Sequence, residues 1–304
     1  WVRGIAMKKW IAQGSAPVSI PTIHILSDSV GATGQGVARA AAASFGVLSP
    51  SIEVLGNISS PTGMLADLEE HYSFHCEQGV HTPFIVFYTL IADELVDAVK
   101  QFVETHDNVI AVDVISNAIE ALAQATNTKP SARPGYLHSV NEDYYKRIDA
   151  MEFTISHDDG RNPQDLTEAD IVLLGVSRSS KTPLSIYLSQ LGYKVANVPL
   201  DFQSMPPKEI YDVDPTRLFG LIISAELLAN IRKKRLGNAI GVAASYADLE
   251  CVYEDLEKAR ALMRKLGCIT VRTDNRAIEE TAQEILRYYE NTHPQVNTSR
   301  NNGE

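Results

Sequence analysis

Short apolar runs alternate with helical patterns along both halves of this 304-residue chain. The first half has predicted strands at 22–26, 51–55, 84–89 and 109–114, and predicted helices at 37–45, 61–72, 93–104 and 118–125. The second half has predicted strands at 152–157, 171–174, 194–200, 218–223 and 269–271, and predicted helices at 141–150, 182–191, 226–235, 246–266 and 277–289. Strands separated by helices pair in parallel. The pattern therefore predicts an α/β fold of two domains, each a mainly parallel sheet flanked by helices.

The segment 126–135 is polar and contains Pro130 and Pro134, so it is interpreted as an interdomain linker or a long crossing loop. The predicted organisation is a flexible N-terminal arm at 1–19, an α/β domain at 20–128, a second domain with a phosphate site at 129–290, and a flexible tail at 291–304. No acidic residue precedes Asp28, whereas the arm contains basic residues. Such a start is typical of an organelle transit peptide remnant, and a disordered arm is the alternative.

Net charge and cysteine content limit the partners and metal sites expected of this chain. The formal net charge is −11, so neither nucleic acid nor an anionic membrane is an expected partner. The three cysteines form no C-x-x-C pair, which favours a reducing compartment without disulfides or structural zinc. His71, His75 and Cys76 have helical spacing but lack an evident fourth ligand, and no metal-binding residues are predicted from the sequence.

The segment 170–188 has the order expected of a phosphate-binding loop. An apolar run ends at Gly175, a small polar loop follows, and Lys181 and Thr182 open an amphipathic helix. Backbone N–H groups and the helix N-terminus favour an anion there. The predicted phosphate-binding residues are Gly175, Val176, Ser177, Arg178, Ser179, Ser180, Lys181 and Thr182. Ser180 replaces the usual second glycine, and a plain strand-to-helix turn is the alternative interpretation.

Two carboxylates precede this loop. Asp158 and Asp159 follow the predicted strand 152–157, and Gly160 permits a turn. A carboxylate there can bind magnesium or accept a proton from an attacking hydroxyl. His157, Asp158, Asp159 and Lys181 are therefore the predicted catalytic residues, with a capped Asp-Gly turn as the alternative.

Weaker signals lie elsewhere. Ser29 and Gly31 belong to a glycine-containing turn after the first strand, and Arg133 lies in a proline-stiffened loop. These three are candidate secondary anion contacts, with a turn or a domain–domain contact as the alternative for the first loop and a solvated or structural arginine as the alternative for Arg133. The basic cluster 232–235 ends a helix, where positive charge offsets the helix dipole; docking of an acidic protein partner is the alternative.

Several motifs together resemble the regulatory proteins of pyruvate, phosphate dikinase, a family whose bacterial relatives act on phosphoenolpyruvate synthetase. The resemblance covers about 20–289. It rests on Gly175–Pro183, Tyr187-Leu188, Gly192–Leu200, Arg147–Phe153, His157–Gly160, Ala277–Ala282, Ser27–Ser29 and Gly31.

The resemblance implies a bifunctional enzyme. ADP would phosphorylate a threonine in the dikinase active site and inactivate it, and inorganic phosphate would remove that group with release of pyrophosphate. It also implies ADP and phosphate as substrates, with Mg²⁺ expected, the dikinase as protein partner, a homodimer, and a chloroplast-stroma location with the cytoplasm as alternative. An ATP-dependent P-loop kinase of small molecules and a non-enzymatic nucleotide-sensing partner are the competing hypotheses.

Overall fold

The computed structural model describes residues 19–77, 82–130, 142–200, 206–236 and 244–294. Contacts divide the chain into two units between residues 139 and 140. The predicted boundary at 128/129 lies near the start of the proline-containing segment 126–135, and the division lies just after the end of that segment. Most of the predicted arm, most of the tail, and Arg133 lie outside the described residues.

Among its described residues, the first unit alternates four strands with four helices. The strands are β1 (Ile23–Ser27), β2 (Ile52–Leu55), β3 (Phe84–Thr89) and β4 (Val109–Asp113). The helices are α1 (Ala32–Ala43), α2 (Pro61–Glu77), α3 (Asp93–Thr105) and α4 (Ser116–Thr126). The four strands form one fully parallel sheet in the order β2-β1-β3-β4.

Among the described residues, the second unit has a helix before its first strand, only 3-10 turns between its second and third strands, and two helices between its third and fourth strands. Its strands are β5 (Ile171–Gly175), β6 (Val195–Pro199), β7 (Leu218–Ile222) and β8 (Ile269–Arg272). Its helices are α5 (Glu142–Ser156), α6 (Lys181–Gln190), α7 (Ala225–Leu236), α8 (Leu249–Leu266) and α9 (Ile278–Thr292). The sheet is again fully parallel, in the order β6-β5-β7-β8. The predicted α/β class with two parallel sheets is confirmed.

The central strand β5 is buried on both faces, as its uninterrupted apolar sequence indicates. Val172 and Leu174 pack in a cluster with residues of α7 and α8. Ile171 and Leu173 point to the opposite face and pack with residues of α6 and α9. Alternate side chains of β5 thus belong to two hydrophobic cores, one on each face of the sheet. The loops that follow β5 and β7 begin where the strand order reverses, which is the usual ligand position in an open parallel sheet.

One element differs from the prediction. The segment 152–157 was predicted as a strand because Phe153 and Ile155 alternate with polar residues, but helix α5 runs through it to Ser156. Ala150, Thr154 and His157 are the buried positions, whereas Ile155 is 67% exposed. Their spacing of four and three residues is helical. Asp158 and Asp159 therefore follow a helix, in a 3-10 turn at Asp158–Gly160.

Across the part of the chain that the structure describes, no helix is both long and apolar enough to cross a bilayer.

Candidate phosphate-binding and catalytic site

The loop between β5 and α6 folds tightly back on the end of its strand. A Cβ on Gly175 would lie 2.5 Å from Oγ of Ser179, so only glycine admits this approach. Arg178 and Ser180 both adopt left-handed backbone conformations, with φ of 75° and 69°. Ser180 thus has the conformation that glycine favours, at the position where a phosphate-binding loop usually has glycine.

Lys181 is the only buried lysine among the described residues, with 6% of its surface exposed. Its ammonium donates hydrogen bonds to the carbonyl oxygens of Gly175 at 3.0 Å and Val176 at 3.1 Å. Burial lowers the pKa of Lys181 to about 8, while the carboxylates of Asp159 and Asp158 oppose that shift. The ammonium therefore lies inside the loop, close to both predicted carboxylates.

The start of α6 offers main-chain donors to an anion. The N-cap residue Ser180 makes no side-chain capping hydrogen bond, so its hydroxyl does not occupy the first-turn N–H groups of the helix. A cavity of about 350 Å³ opens at this point. Its polar lining is contributed by Asp159, Ser177, Arg178, Ser180, Lys181 and Thr182. The loop, the N-terminus of α6 and the cationic side chains of Arg178 and Lys181 thus border one cavity.

Asp158 is fixed by two neighbours. Its Oδ1 accepts a hydrogen bond from the Thr182 hydroxyl at 3.0 Å and another from the side-chain amide of Asn197. The hydroxyl of Thr182, one of the predicted phosphate-binding residues, is thus directed at this carboxylate. The 3-10 turn is therefore tied directly to the first turn of α6.

Asn197 was missed as a site residue from the sequence. It lies on β6, is almost fully buried, and its Oδ1 accepts the backbone N–H of Asp159 at 2.9 Å. Its own N–H donates to the carbonyl of His157 at 3.2 Å. One residue thus sets the positions of three consecutive predicted residues. The available signal was a polar amide in an otherwise apolar strand.

Asp159 differs from Asp158 in its surroundings. It has a left-handed φ of 53°, is exposed, and lines the cavity beside the loop. Asp158 is half-buried and accepts hydrogen bonds from two side chains. The two carboxylates therefore have separate environments, which favours separate chemical roles.

His157 is packed within its own segment. Its ring stacks on Phe153 at 3.8 Å, and its Nδ1 lies 2.7 Å from the carbonyl of Phe153. Its Nε2 faces a carboxylate oxygen of Asp165 at 3.6 Å. These contacts fix the His157 ring, and its main-chain carbonyl accepts a hydrogen bond from Asn197. His157 therefore helps to position the 3-10 turn that follows it.

Arg232 and Tyr246 form a support behind the loop that sequence reasoning also missed. Arg232 is 2% exposed, pairs with Asp255 at 2.9 Å, and lies over the Tyr246 ring at 4.5 Å from its centroid. The Tyr246 hydroxyl lies 3.0 Å from Oγ of Ser177 in the loop. Arg232 is therefore buried, whereas the next three basic residues of the cluster 232–235 are exposed.

Ser29 and Gly31, two of the three candidate secondary anion contacts, pack and form hydrogen bonds within the first unit. A Cβ on Gly31 would meet Val54 Cγ1 at 2.7 Å, so close packing explains this glycine. The N–H of Ser29 donates to Oγ of Ser27 at 3.1 Å, and its carbonyl accepts from Asn57 at 2.7 Å. Their role as anion contacts stays a prediction, as does that of Arg133.

Comparison with known proteins defines the family. A family model described as kinase/pyrophosphorylase matches residues 23–286. The chain belongs to the kinase/pyrophosphorylase family. A relative from Syntrophomonas wolfei is 42% identical over 272 residues, which cover 89% of this chain and 96% of the relative. Relatives from Geobacter sulfurreducens and Pediococcus pentosaceus are 41% and 40% identical, covering 88% and 87% of this chain and 97% and 95% of their own lengths.

The names of these three relatives assign them to the pyruvate, phosphate dikinase regulatory proteins. Membership of the kinase/pyrophosphorylase family identifies this chain as a phosphotransferase and confirms the resemblance seen in the motifs. The alternatives of a small-molecule kinase and a non-enzymatic nucleotide sensor are not favoured. The relatives are bacterial, so they give no support to the predicted chloroplast location.

Proposed function

We propose that this chain regulates a pyruvate, phosphate dikinase by two opposed phosphoryl transfers. In the first, the β-phosphoryl group of ADP passes to the hydroxyl of a dikinase threonine with release of AMP, and this phosphorylation inactivates the dikinase. In the second, inorganic phosphate attacks the phosphothreonine, which regenerates the threonine hydroxyl and releases pyrophosphate. The observation that carries the proposal is the juxtaposition of the loop 175–182 with the 3-10 turn that holds Asp158 and Asp159.

The loop suits the end of a diphosphate. Lys181 and Arg178 supply positive charge beside the main-chain N–H groups at the start of α6, which the Ser180 side chain does not cap. Charge in a phosphoryl-transfer transition state spreads over three oxygens, so several fixed donors around one phosphoryl group are effective. When phosphate binds, the ammonium of Lys181 exchanges the carbonyls of Gly175 and Val176 for phosphate oxygens. Burial lowers the pKa of Lys181 to about 8, and a bound anion would raise that pKa by favouring the charged form.

The residues fit a magnesium ion bound with the nucleotide. Asp158 and Thr182 present carboxylate and hydroxyl oxygens, which are the hard ligands that Mg²⁺ prefers, and they already lie 3.0 Å apart. When bound, the ion would offset negative charge on the phosphates. Asn197 would keep the Asp158 carboxylate aligned toward α6.

Asp159 is the candidate to orient the threonine hydroxyl. It lines the cavity and its side chain is exposed, whereas Asp158 is occupied by Thr182 and Asn197. A general base must reach the proton it accepts, so the accessible carboxylate is better placed. His157 then acts as a positioning residue, since its carbonyl contacts Asn197 and its ring is buried.

The same loop serves both reactions in this proposal, because free phosphate and the β-phosphoryl group present the same oxygens to it. Replacing Lys181 by alanine is therefore expected to abolish both activities. Loss of one activity with the other intact would mean that two separate anion sites exist.

A transfer assay tests the assignment directly. Purified dikinase is incubated with this protein and with ADP labelled in the β position, or with ATP labelled in the γ position. Label moving from ADP to a dikinase threonine is the expected result. ATP-dependent transfer to a small molecule would support the small-molecule kinase, and transfer from neither nucleotide would support a nucleotide sensor.

The homodimer and the location belong to the proposal as well. Light scattering of the purified protein measures its molar mass, and a value twice that of one chain is the expected result. Of the two predicted compartments, the bacterial relatives favour the cytoplasm.

A further inference from the structure

Three potential metal ligands meet in the first unit, far apart in sequence. His24 on β1 and Glu53 on β2 are direct partners in the parallel register, and α2 brings His71 above them. His24 Nε2 lies 3.3 Å from Glu53 Oε2, and His71 Nδ1 lies 2.7 Å from the same oxygen. Within the described residues this is the one group of three or more such side chains whose ligand atoms lie within 4.8 Å of one another.

Both ring nitrogens of His24 face hydrogen-bond acceptors. Its Nδ1 lies 3.3 Å from the carbonyl oxygen of Ile85, and its Nε2 faces the Glu53 carboxylate. A neutral imidazole has a single N–H to donate, so one of these acceptors needs a different positive partner. The ring is 4% exposed and stacks on Phe84 at 4.2 Å, which holds it in this orientation.

The orientation of His24 is the one that metal-binding histidines adopt. Such a histidine commonly donates its second N–H to a backbone carbonyl, which fixes the ring and points the other nitrogen at the metal. Nδ1 of His24 with the carbonyl of Ile85 matches this arrangement and leaves Nε2 toward Glu53 and His71. His75, one turn along α2, instead bonds the carbonyl of Thr82 at 2.8 Å.

We propose that His24, Glu53 and His71 bind a divalent transition metal, with Zn²⁺ as the best match. Two imidazoles and one carboxylate form a donor set that zinc accepts, and neutral imidazole also suits Co²⁺ and Ni²⁺. Bonds of about 2.0–2.1 Å at a tetrahedral angle place two ligand atoms about 3.3 Å apart. The His24–Glu53 separation of 3.3 Å already has this value. The 2.7 Å hydrogen bond between His71 and Glu53 lengthens as the metal replaces its proton.

The site is open rather than closed. A cavity of about 310 Å³ borders all three residues, so a fourth position is accessible to water or to an oxygen ligand. Three protein ligands with one accessible position are typical of reactive zinc sites, whereas structural zinc has four protein ligands. The three ligands belong to the first unit and the phosphate loop to the second, and the metal proposal does not rest on the proposed phosphoryl transfer.

Metal titration of the full chain tests the proposal. The protein is treated with a chelator, dialysed, and titrated with Co²⁺, whose visible spectrum reports coordination geometry, and then with Zn²⁺ as competitor. The expected result is one equivalent of tetrahedral Co²⁺ without a thiolate charge-transfer band, displaced by Zn²⁺. The melting temperature is expected to rise in the presence of Zn²⁺, because the metal binds the folded chain.

Two variants and one control locate the site. Glu53→Gln and His71→Ala alter side chains that are 49% and 33% exposed, so the fold is expected to survive, and each is expected to weaken metal binding at least tenfold. His106→Ala is the matched control, since His106 contacts Glu69 at 3.0 Å without belonging to the three-ligand group. Unchanged binding in the Glu53→Gln/His71→Ala double variant, a thiolate band, or no binding at millimolar metal would overturn the proposal.

Discussion

The hydroxyl of Thr182 donates a hydrogen bond to Oδ1 of Asp158 across 3.0 Å. This contact joins the first turn of α6 to the 3-10 turn at Asp158–Gly160, which are separated by β5 in the sequence. A hydroxyl at the start of a phosphate-loop helix and a nearby carboxylate form the pair that commonly holds magnesium in P-loop enzymes. The contact therefore links the proposed anion site to the acidic residues.

Thr182→Val is expected to slow both proposed transfers by about 10- to 100-fold. Valine keeps the shape of threonine but removes the donor to Asp158, and a hydrogen bond to a charged group contributes about 1.5–3 kcal/mol. Steady-state rates of dikinase phosphorylation and of pyrophosphate release measure the effect. Thr182→Ser keeps the hydroxyl and is the control, so a serine variant as slow as the valine variant would contradict this role.

Asp159→Asn and Asp158→Asn are expected to differ in a defined way. Asp159 is exposed in the cavity, so its asparagine variant should keep its melting temperature and lose about 10²- to 10⁴-fold in phosphorylation rate, as removal of a general base does. Asp158 accepts bonds from Thr182 and Asn197, so its asparagine variant should lose both activity and stability. Equal melting temperatures in the two variants would remove this distinction.

Burial of Lys181 makes stability depend on pH in a predictable direction. The pKa of Lys181 is about 8 in the folded chain and 10.5 as its reference value, so between these values the unfolded chain binds more protons. Stability contributed by this group is therefore lowest below pH 8 and rises up to about pH 10.5. Relative to Lys181→Met, the unmodified chain should gain about 3 kcal/mol over that range.

Denaturant unfolding of both proteins at several pH values measures this difference. Subtracting the methionine variant removes the titration of groups common to both proteins. A difference that stays constant from pH 7 to pH 10.5 would show that Lys181 titrates at its ordinary value.

The contiguous part of the site could be predicted from the sequence because its members are neighbours along the chain. Gly175, the loop and Lys181 follow one another from β5 into α6, so an apolar run and a helical pattern suffice to locate them. Ser180 stands where glycine is usual, and its left-handed φ of 69° shows that the backbone keeps the glycine conformation.

The remaining contacts depend on packing between distant segments. Asn197 reaches the 3-10 turn because β6 pairs with β5, and Tyr246 reaches Ser177 across 69 positions of sequence. Likewise, His24 meets Glu53 through the register of β1 and β2. Local periodicity carries no information about such pairs. It also misassigned 152–157, because a window of six residues does not distinguish a short strand from the end of a helix.

Ser180→Gly is expected to stabilise the protein by about 0.5–1 kcal/mol. The left-handed conformation costs a non-glycine residue about 1–2 kcal/mol, and the extra freedom of glycine in the unfolded chain offsets about half of that. The midpoint of denaturant unfolding measures the gain. Ser180→Ala removes the same hydroxyl without relieving the backbone, so an equal gain in the alanine variant would assign the effect to the hydroxyl.

Tyr246→Phe is expected to raise the KM for ADP several-fold and to leave kcat nearly unchanged. The variant removes the hydroxyl that lies 3.0 Å from Ser177 but keeps the ring that packs on Arg232. A neutral hydrogen bond contributes about 0.5–1.5 kcal/mol, which corresponds to a change of about 2- to 12-fold. A fall in kcat without a change in KM would instead place Tyr246 in the transfer step itself.

Arg232→Met provides the contrast to this variant, because it disturbs the support as a whole. It leaves the Asp255 carboxylate, which is 15% exposed, without its 2.9 Å partner. Breaking such a buried pair costs about 3–5 kcal/mol, so Arg232→Met should lower the melting temperature where Tyr246→Phe does not. Adding Asp255→Asn removes the unpaired charge and should recover part of that loss. If the double variant is no more stable than Arg232→Met, the loss comes from the cation–ring packing on Tyr246 rather than from the stranded charge.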